Sequence, residues 1–500
     1  MNVFNHFAKS AKAHPARVAI QTTGESIHFG VFETDVRKTA AYLIKKGIKP
    51  GDRVLVFVPM SIELYKVVLA IFQVGATAVF LDEWVSLTRL RLCCQIAGCK
   101  AFVGPWKFRI LAFFIPEIRS IPIWLGLNKT NETPLDWVYP AQPDDTALLT
   151  FTTGSTGTPK AARRSHAFLN SQFDALIEEI QPQTGDVVMT NLPIVMLVNF
   201  GTGATSVIAP FQAKKPAQSN PEQIAGLIKS AGVNVLIASP FLALRISEVG
   251  KIENLEKVFT GGGPVYPDDA TTLTAAFPKA QVSIVYGSTE AEPVSTIDAR
   301  QLADLKLENG LCVGKPVDRI SLKILPIIFG PLTETSLSQS KIAGEIGEIV
   351  VAGDHVLSAY WNNDQAFLDN KIVDAGGRIW HRTGDAGFLD ETGRLFLCGR
   401  CKHMVFSNGA WFSPFVVEGM LRTLPGIKTG TLMVLDQKLT IVAEKENEAD
   451  ADLLGQQIFN VLPFQPASVK WIAHLPRDPR HFTKIDYEKL VVMLYSKSGQ

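Results

Sequence analysis

The stretch Thr152-Thr153-Gly154-Ser155-Thr156-Gly157-Thr158-Pro159-Lys160 follows directly on the apolar run at 147–151. A short apolar run closed by a Gly/Ser/Thr cluster reads as a buried strand that ends in a loop. Gly154 and Gly157 let backbone N–H groups approach an anion, Thr153, Ser155 and Thr156 add hydroxyl donors, and Lys160 adds positive charge. Hydrogen bonds to a charged group are each worth about 1.5–3 kcal/mol, so several convergent donors hold a polyphosphate firmly. A Walker loop needs Lys directly after its last Gly and Ser or Thr next. Here Thr158 and Pro159 intervene and Ala161 follows, so the Walker pattern fails. That leaves a phosphate cradle of another kind, or a polar surface loop.

Outward from this loop, apolar runs alternate with helical stretches. The turn Lys49-Pro50-Gly51-Asp52 precedes a strand at 54–58, a helix at 61–75 and a strand at 78–81. Further strands are expected at 233–238, 257–260 and 281–285, each after a helical pattern. Such alternation predicts an α/β fold with largely parallel sheets. Beyond Gly310 the pattern changes to strands at 320–325, 347–351 and 395–399 with little helix between, which predicts a β-rich subdomain. Gly399-Arg400-Cys401-Lys402 marks a turn at which a smaller unit begins, with a helix at 415–424, a strand at 431–435 and a helix at 449–462. The expected division is therefore 1–400 and 401–500.

Composition narrows the function. A chain of 500 residues exceeds one ordinary core, and a 46% hydrophobic fraction with 29 Phe excludes extensive disorder. The formal net charge is +1, and Arg163-Arg164 is too short a basic patch for nucleic-acid binding. Six cysteines make no disulfide framework; Cys398 and Cys401 form a lone CxxC with His403 after it, open to a zinc or redox site but without a second ligand pair. No secretory signal is visible at the N-terminus, so a cytoplasmic location is expected. The stretch at 110–127 is interrupted by Pro116, Glu117, Arg119 and Pro122 and is too short to span a bilayer. It reads either as a buried helix and strand or as an interfacial segment at the inner face of a membrane.

Other segments carry chemistry weakly when taken singly. In Tyr286-Gly287-Ser288-Thr289-Glu290 an aromatic can stack on a purine, Thr289 can meet a phosphate and Glu290 can hold Mg²⁺; a plain strand-end turn has the same composition. Thr260-Gly261-Gly262-Gly263-Pro264 offers open backbone to an adenine edge, or is only a loop. Thr383-Gly384-Asp385 places a carboxylate for ribose hydroxyls, or an ordinary turn cap. Lys484 lies in a basic cluster, Arg480-His481-Phe482-Thr483-Lys484-Ile485, which by itself is a solvated face.

Taken in order, these segments resemble the AMP-forming adenylating superfamily of acyl-CoA synthetases, luciferases and adenylation domains. The resemblance also covers Gly47-Ile48-Lys49-Pro50-Gly51-Asp52-Arg53-Val54, Gly344-Glu345-Ile346-Gly347-Glu348, Tyr360-Trp361-Asn362 and the stretch 409–418. It implies a large N-terminal domain of two α/β lobes plus a β-rich subdomain, and a small mobile α+β C-terminal domain. It further implies that Thr153, Gly154, Ser155, Thr156, Gly157 and Lys160 handle the ATP phosphates, with Gly262, Gly263, Pro264, Tyr286, Gly287 and Thr289 completing the ATP site. By the same resemblance Glu290 holds Mg²⁺, Asp385 binds ribose with Arg400, Lys402 is a hinge, and Lys484, Lys160 and Thr289 are catalytic. Lys484 then bridges carboxylate and α-phosphate, where two anions must meet and a cation brought by a closing domain lowers the barrier.

Three stretches are similar to the β-lactone synthetases of bacterial olefin biosynthesis: Tyr286 through Val294, Cys398 through His403, and Arg480 through Ile485. That likeness implies a long-chain carboxylic acid substrate, a 2-alkyl-3-hydroxy acid whose hydroxyl displaces AMP, and partner enzymes in the pathway. The alternative is a fatty acyl-CoA ligase using coenzyme A. A non-catalytic nucleotide-binding scaffold is disfavoured by the joint presence of Lys160, Glu290, Asp385, Arg400 and Lys484. Two positions depart from the wider pattern. Lys160 is followed by Ala161 rather than Gly, and Asn191-Leu192-Pro193-Ile194-Val195-Met196-Leu197 lacks the His that relatives often carry. The second departure leaves an apolar wall, which suits a lipid-like acyl group or simply a neighbouring core.

Overall fold

The computed structural model describes residues 1–81, 86–127, 131–152, 159–212, 215–307, 310–407, 409–477 and 485–496. Six strands form the first sheet, in the order Ile123–Leu125, Ala101–Val103, Arg53–Val56, Thr77–Phe80, Thr146–Thr152 and Lys160–Ser165. All neighbours are parallel except the last pair. Parallel pairing requires a crossover. Helix Ile62–Gln73 supplies one of these, capped by the Ser61 hydroxyl, which accepts from the Leu64 N–H. Of its residues only Glu63 escapes burial, because the helix lies between the sheet and helix Phe29–Lys45.

The second sheet has fourteen strands. Its parallel half runs Val18–Gln21, Thr205–Ile208, Val187–Thr190, Val235–Ala238, Lys257–Gly261 and Gln281–Ser288. An antiparallel half follows: Ala291–Asp298, Leu311–Pro316, Leu395–Arg400, Ile379–Leu389, Gly347–Ala352 and Ser321–Leu325. The β-rich region expected beyond Gly310 therefore continues the sheet of the second α/β lobe, joined through Ser295↔Pro316 and Thr296↔Lys315. Gly314 allows that junction, since an added Cβ would meet the Thr296 carbonyl. A core of Phe4, Phe7, Phe29, Phe32, Phe72 and Phe200, all fully or almost fully buried, packs where the two lobes meet.

The C-terminal elements pair among themselves. Ile427–Leu435, Lys438–Lys445 and Ser468–Trp471 form a three-stranded sheet, flanked by helices Pro414–Arg422, Ala451–Val461 and Tyr487–Ser496. Cys401 and Met404 pack into the large core, whereas Val405, Val417 and Leu421 pack into a separate small one.

The stretch at 110–127 corrects the sequence reading in part. It lies in helices Trp106–Phe113 and Pro116–Arg119 and in strand Ile123–Leu125. Ile118, Ile121 and Leu125 are buried as expected, but Ile110, Phe113 and Phe114 point into solvent. The helix holds to the lobe through Phe108, packed on Phe57, and through Ala112, which leaves its other face uncovered. No helix among the described residues is long and apolar enough to cross a membrane.

Candidate active site

Lys160 opens the strand Lys160–Ser165 directly opposite Thr152, so both ends of the Gly/Ser/Thr segment are set side by side. Thr153, Gly154, Ser155, Thr156 and Gly157 lie outside the described residues. Lys160 is only 8% exposed; its Nζ donates to Asn370 Oδ1 at 3.1 Å and stands 5.9 Å from the Tyr360 ring centroid. Burial lowers its pKa, while Glu290 and Asp369 act in the opposite sense.

The strand expected to end at 285 runs on to Ser288 and returns as Ala291–Asp298. Tyr286 and Gly287 are thus strand residues, and Thr289 and Glu290 alone make the turn. The register slips between Tyr286 and Ser288, and a Cβ on Gly287 would come within 2.9 Å of the Ala291 carbonyl. Glycine is what lets this irregular hairpin close.

A strap at 355–361 joins this hairpin to the first sheet. Val356 bridges Ala291, and the Leu357 N–H donates to the Glu290 carbonyl at 2.7 Å. Three residues on, Tyr360 bridges Ala162, and the Trp361 N–H donates to the Ala161 carbonyl at 2.8 Å. The Tyr360 hydroxyl consequently reaches Glu290 Oε1 at 3.3 Å while Lys160 stands over the same ring. Residues 130 positions apart in sequence, Lys160 and Glu290, are brought into one electrostatic cluster.

One member of that cluster carries no sequence signal. Lys371, in strand Lys371–Val373, is 3% exposed, and its Nζ donates to the Leu357 carbonyl beside the Tyr360 ring. Burial lowers its pKa to about 7; Glu290 opposes the shift and Lys160 reinforces it. His381 is buried near it and held well below the ordinary histidine range, mainly by burial and then by Lys371. The two lysines concentrate positive potential where burial keeps water away, a setting in which an incoming polyanion is strongly favoured.

The second focus is built around Asp385. It accepts from the Tyr286 hydroxyl at 2.8 Å on Oδ2 and pairs through Oδ1 with Arg400 Nε at 3.2 Å. Arg400 also donates to the Thr383 carbonyl at 3.0 Å, and the Thr383 hydroxyl accepts from the Asp385 N–H at 3.0 Å. Thr383, Gly384 and Asp385 lie inside strand Ile379–Leu389 rather than in the turn expected from sequence, and Gly384, at φ +69°, sits where the register with Gly347–Ala352 slips. Beneath it lies a buried ion pair, Arg382–Glu348, at 2.7 Å, whose guanidinium also donates to the Ile328 carbonyl. Burial raises the Glu348 pKa, and Arg382 opposes that shift. The matched segment ending at Glu348 is therefore a support for Asp385, a role its sequence alone did not disclose.

Gly262, Gly263 and Pro264 follow strand Lys257–Gly261, with Gly262 at φ +86°. A Cβ on Gly261 would press 2.3 Å from the Val285 carbonyl, so this backbone runs close against the strand that carries Tyr286. Asn191 exchanges hydrogen bonds with Ser239. Ile194, Leu197 and Val198 line an apolar cavity with Phe7, Leu69 and Phe72.

At the chain border, Lys402 Nζ pairs with Glu488 at 3.1 Å and His403 stacks on Tyr487 at 4.1 Å. Lys484 lies outside the described residues. Close by, the Glu418 carboxylate accepts from Tyr266 at 2.9 Å, Tyr487 at 2.8 Å and Thr431 at 3.0 Å. Arg422 pairs with Asp268 and Asp269 at 2.7 and 2.6 Å. These contacts, between residues far apart in the chain that no local pattern links, dock the small unit on the large one. Cys398 and Cys401 are both buried, and burial raises the Cys398 thiol to about 12, away from thiolate chemistry.

A lysine-rich focus at Lys160 and Lys371 and a carboxylate–guanidinium focus at Asp385 and Arg400 are thus joined by a single hairpin. The family model described as AMP-binding enzyme matches residues 7–361, and the chain belongs to that family. It is an AMP-forming ligase that works through an adenylate. The chain is similar to the olefin beta-lactone synthetases of Xanthomonas campestris pv. campestris and Stenotrophomonas maltophilia, at 28% and 29% identity, covering 98% of this chain and 97% of each relative. It is also similar to 4-coumarate–CoA ligase CCL1 of Humulus lupulus, at 26% identity over 81% of this chain and 76% of the relative. Among solved structures, ATP-bound MatB from Rhodopseudomonas palustris superposes with a TM-score of 0.82 at 22% identity, over 99% of both chains. The two chains thus share one α/β fold along their whole length.

Proposed function

We propose that the enzyme adenylates a fatty or 3-hydroxy fatty acid and that, with a 2-alkyl-3-hydroxy acid, the adenylate closes to a β-lactone. The observation that carries the first half is the strap at 355–361, which sets Lys160, Lys371 and Glu290 around Tyr360. The second half is supported by similarity to olefin beta-lactone synthetases along nearly the whole of both chains. The absence of a His from the stretch Asn191 through Leu197 is what favours an alkyl substrate over an aryl or amino acid in this reading.

In the first step a carboxylate oxygen attacks the α-phosphorus of ATP, forming an O–P bond as the bond to pyrophosphate breaks. Thr153, Gly154, Ser155, Thr156 and Gly157 cradle the phosphates in this reading, with Lys160 and Thr289 at the reacting group. Gly262, Gly263, Pro264, Tyr286 and Gly287 flank the adenine, and Asp385 with Arg400 takes the ribose. Glu290 fits Mg²⁺, which is commonly held by one or two carboxylates plus phosphate oxygens and neutralises phosphate charge. Lys484 is delivered by the unit 401–500, turning about Lys402 against the domain 1–400, and bridges carboxylate and α-phosphate. In the second step the 3-hydroxyl oxygen attacks the acyl carbon. The acyl–phosphate bond breaks, AMP leaves, and the hydroxyl proton passes to solvent. A cytoplasmic place at the inner face of the membrane and partner enzymes handling the same lipid belong to this reading.

The test is incubation with ATP, Mg²⁺ and a 2-alkyl-3-hydroxy acid without coenzyme A, with mass-spectrometric identification of the product. A β-lactone is expected. Product formed only with coenzyme A would replace lactone closure by thioester formation, the reading supported by likeness to a CoA ligase. ATP–pyrophosphate exchange is expected to vanish in Lys484→Ala while ATP still binds, and full exchange in that variant would refute the lysine's role.

A further inference from the structure

Trp106, Ile110, Phe113 and Phe114 fall at i, i+4, i+7 and i+8 along helix Trp106–Phe113 and its first following residue. That spacing makes one stripe of helix surface, which ordinarily packs inward. Here the four side chains are 66%, 54%, 55% and 75% exposed, while Phe108 and Ala112 fasten the opposite face to the lobe. Cations border the stripe. Lys107 Nζ stands 5.6 Å from the Trp106 ring centroid and the Arg119 guanidinium 5.8 Å from that of Phe113. Exposed Arg91 reaches Glu117 at 3.6 Å, so the border holds three cations to one carboxylate.

We propose that this helix is an interfacial anchor that seats the enzyme on a membrane surface containing anionic lipid. The size of the patch favours lipid over protein. With roughly 200 Å² for each large side chain, the exposed part amounts to about 500 Å², below the ~800 Å² per partner of a stable protein interface. A bilayer boundary asks for less: an apolar face immersed about 5–10 Å, with basic residues at headgroup level. Trp106 with its paired lysine has the amphipathic character of that depth. The proposal deepens the functional reading above and rests on it for its purpose, since an acid with long alkyl chains resides in the bilayer.

The experiment is flotation of the full-length protein with vesicles of phosphatidylcholine alone and of equal parts phosphatidylcholine and phosphatidylglycerol. The protein is expected to float with the mixed vesicles and more weakly with the neutral ones. The double variant Phe113→Ser/Phe114→Ser is expected to bind about tenfold more weakly or worse. Lys107→Gln/Arg119→Gln should abolish the preference for anionic lipid. Failure of the unaltered protein to float with mixed vesicles, or equal flotation of the serine variant, overturns the anchor. So does self-association in sedimentation velocity that only the serine variant loses, which would assign the face to a second copy. ATP–pyrophosphate exchange with a short, water-soluble acid should be equal in all these variants. If exchange is absent throughout with a 2-alkyl-3-hydroxy acid as well, while flotation behaves as stated, the functional reading fails and the anchor stands.

Discussion

Replacing Lys371 by methionine should stabilise the protein at neutral pH and remove part of its pH dependence. The ammonium group is held in a site where only 3% of the residue is exposed, and its pKa falls from 10.5 to about 7. One unit of displacement corresponds to about 1.4 kcal/mol, so charging this lysine in place costs roughly 4–5 kcal/mol as an upper limit. The unfolded chain binds the proton more tightly than the folded one. Stability therefore rises with pH between about 7 and the ordinary lysine value, and the full penalty applies below about 7. The gain from pH 7 to pH 9 is about 2 kcal/mol from this group alone. Methionine keeps the length and removes the penalty, but strips the Leu357 carbonyl of its donor, at a cost of about 1–3 kcal/mol. The net expectation is a variant more stable by about 1–3 kcal/mol near pH 7, with the advantage gone near pH 9. Urea unfolding followed by tryptophan fluorescence, in steps across that range, measures it. A difference between the two proteins that stays constant with pH would refute the buried-ammonium argument.

Because ATP phosphates would return Lys371 to its charged form, nucleotide binding at about pH 8 should take up close to one proton. Calorimetry in buffers of different ionisation enthalpy reads this directly, and no uptake would place the phosphates elsewhere. Glu348→Gln leaves Arg382 buried without its partner, and should lower stability by about 3–5 kcal/mol in the same urea assay. Asp385→Asn, which weakens the acceptor facing Tyr286 and Arg400, should reduce AMP affinity at least tenfold by calorimetry without changing the unfolding free energy by more than about 1 kcal/mol. Tyr266→Phe removes one of the donors to Glu418 across the docking contact. Limited proteolysis near the chain border at Lys402 should then accelerate, and unchanged protection would show that the contact does not hold the small unit in place.

Local chemistry made much of this legible in advance. Ser61 before an apolar helix, the turn at Lys49-Pro50-Gly51-Asp52 and the β-branched runs mark elements by signals confined to a few neighbouring residues. Tyr286, Glu290, Asp385 and Arg400 stood out because each lies in or beside a short Gly-containing segment. Lys371 and Glu418 did not, since a lone charge in a strand or helix is ordinary until the fold buries it. The role of Tyr360 depends on two bridges to different sheets, a matter of register that no local pattern encodes. The apolar character of the stretch at 110–127 is legible in the sequence, but which way Ile110 and Phe113 face is decided by Phe108 and Ala112. The continuity of the β-rich strands with the second lobe's sheet likewise hangs on Gly314, whose neighbour across the sheet is Thr296.

The strap at 355–361 makes the reactive centre a weld between the two lobes. Its first half is tied to the hairpin turn at Glu290 and its second to Ala161 and Ala162, next to Lys160. No displacement of one lobe relative to the other can occur without parting these two charged groups or breaking the strap's own hydrogen bonds. In the proposed reaction, competence for chemistry and integrity of the lobe seam are thus one property, so heat or denaturant should extinguish activity at the moment the lobes part.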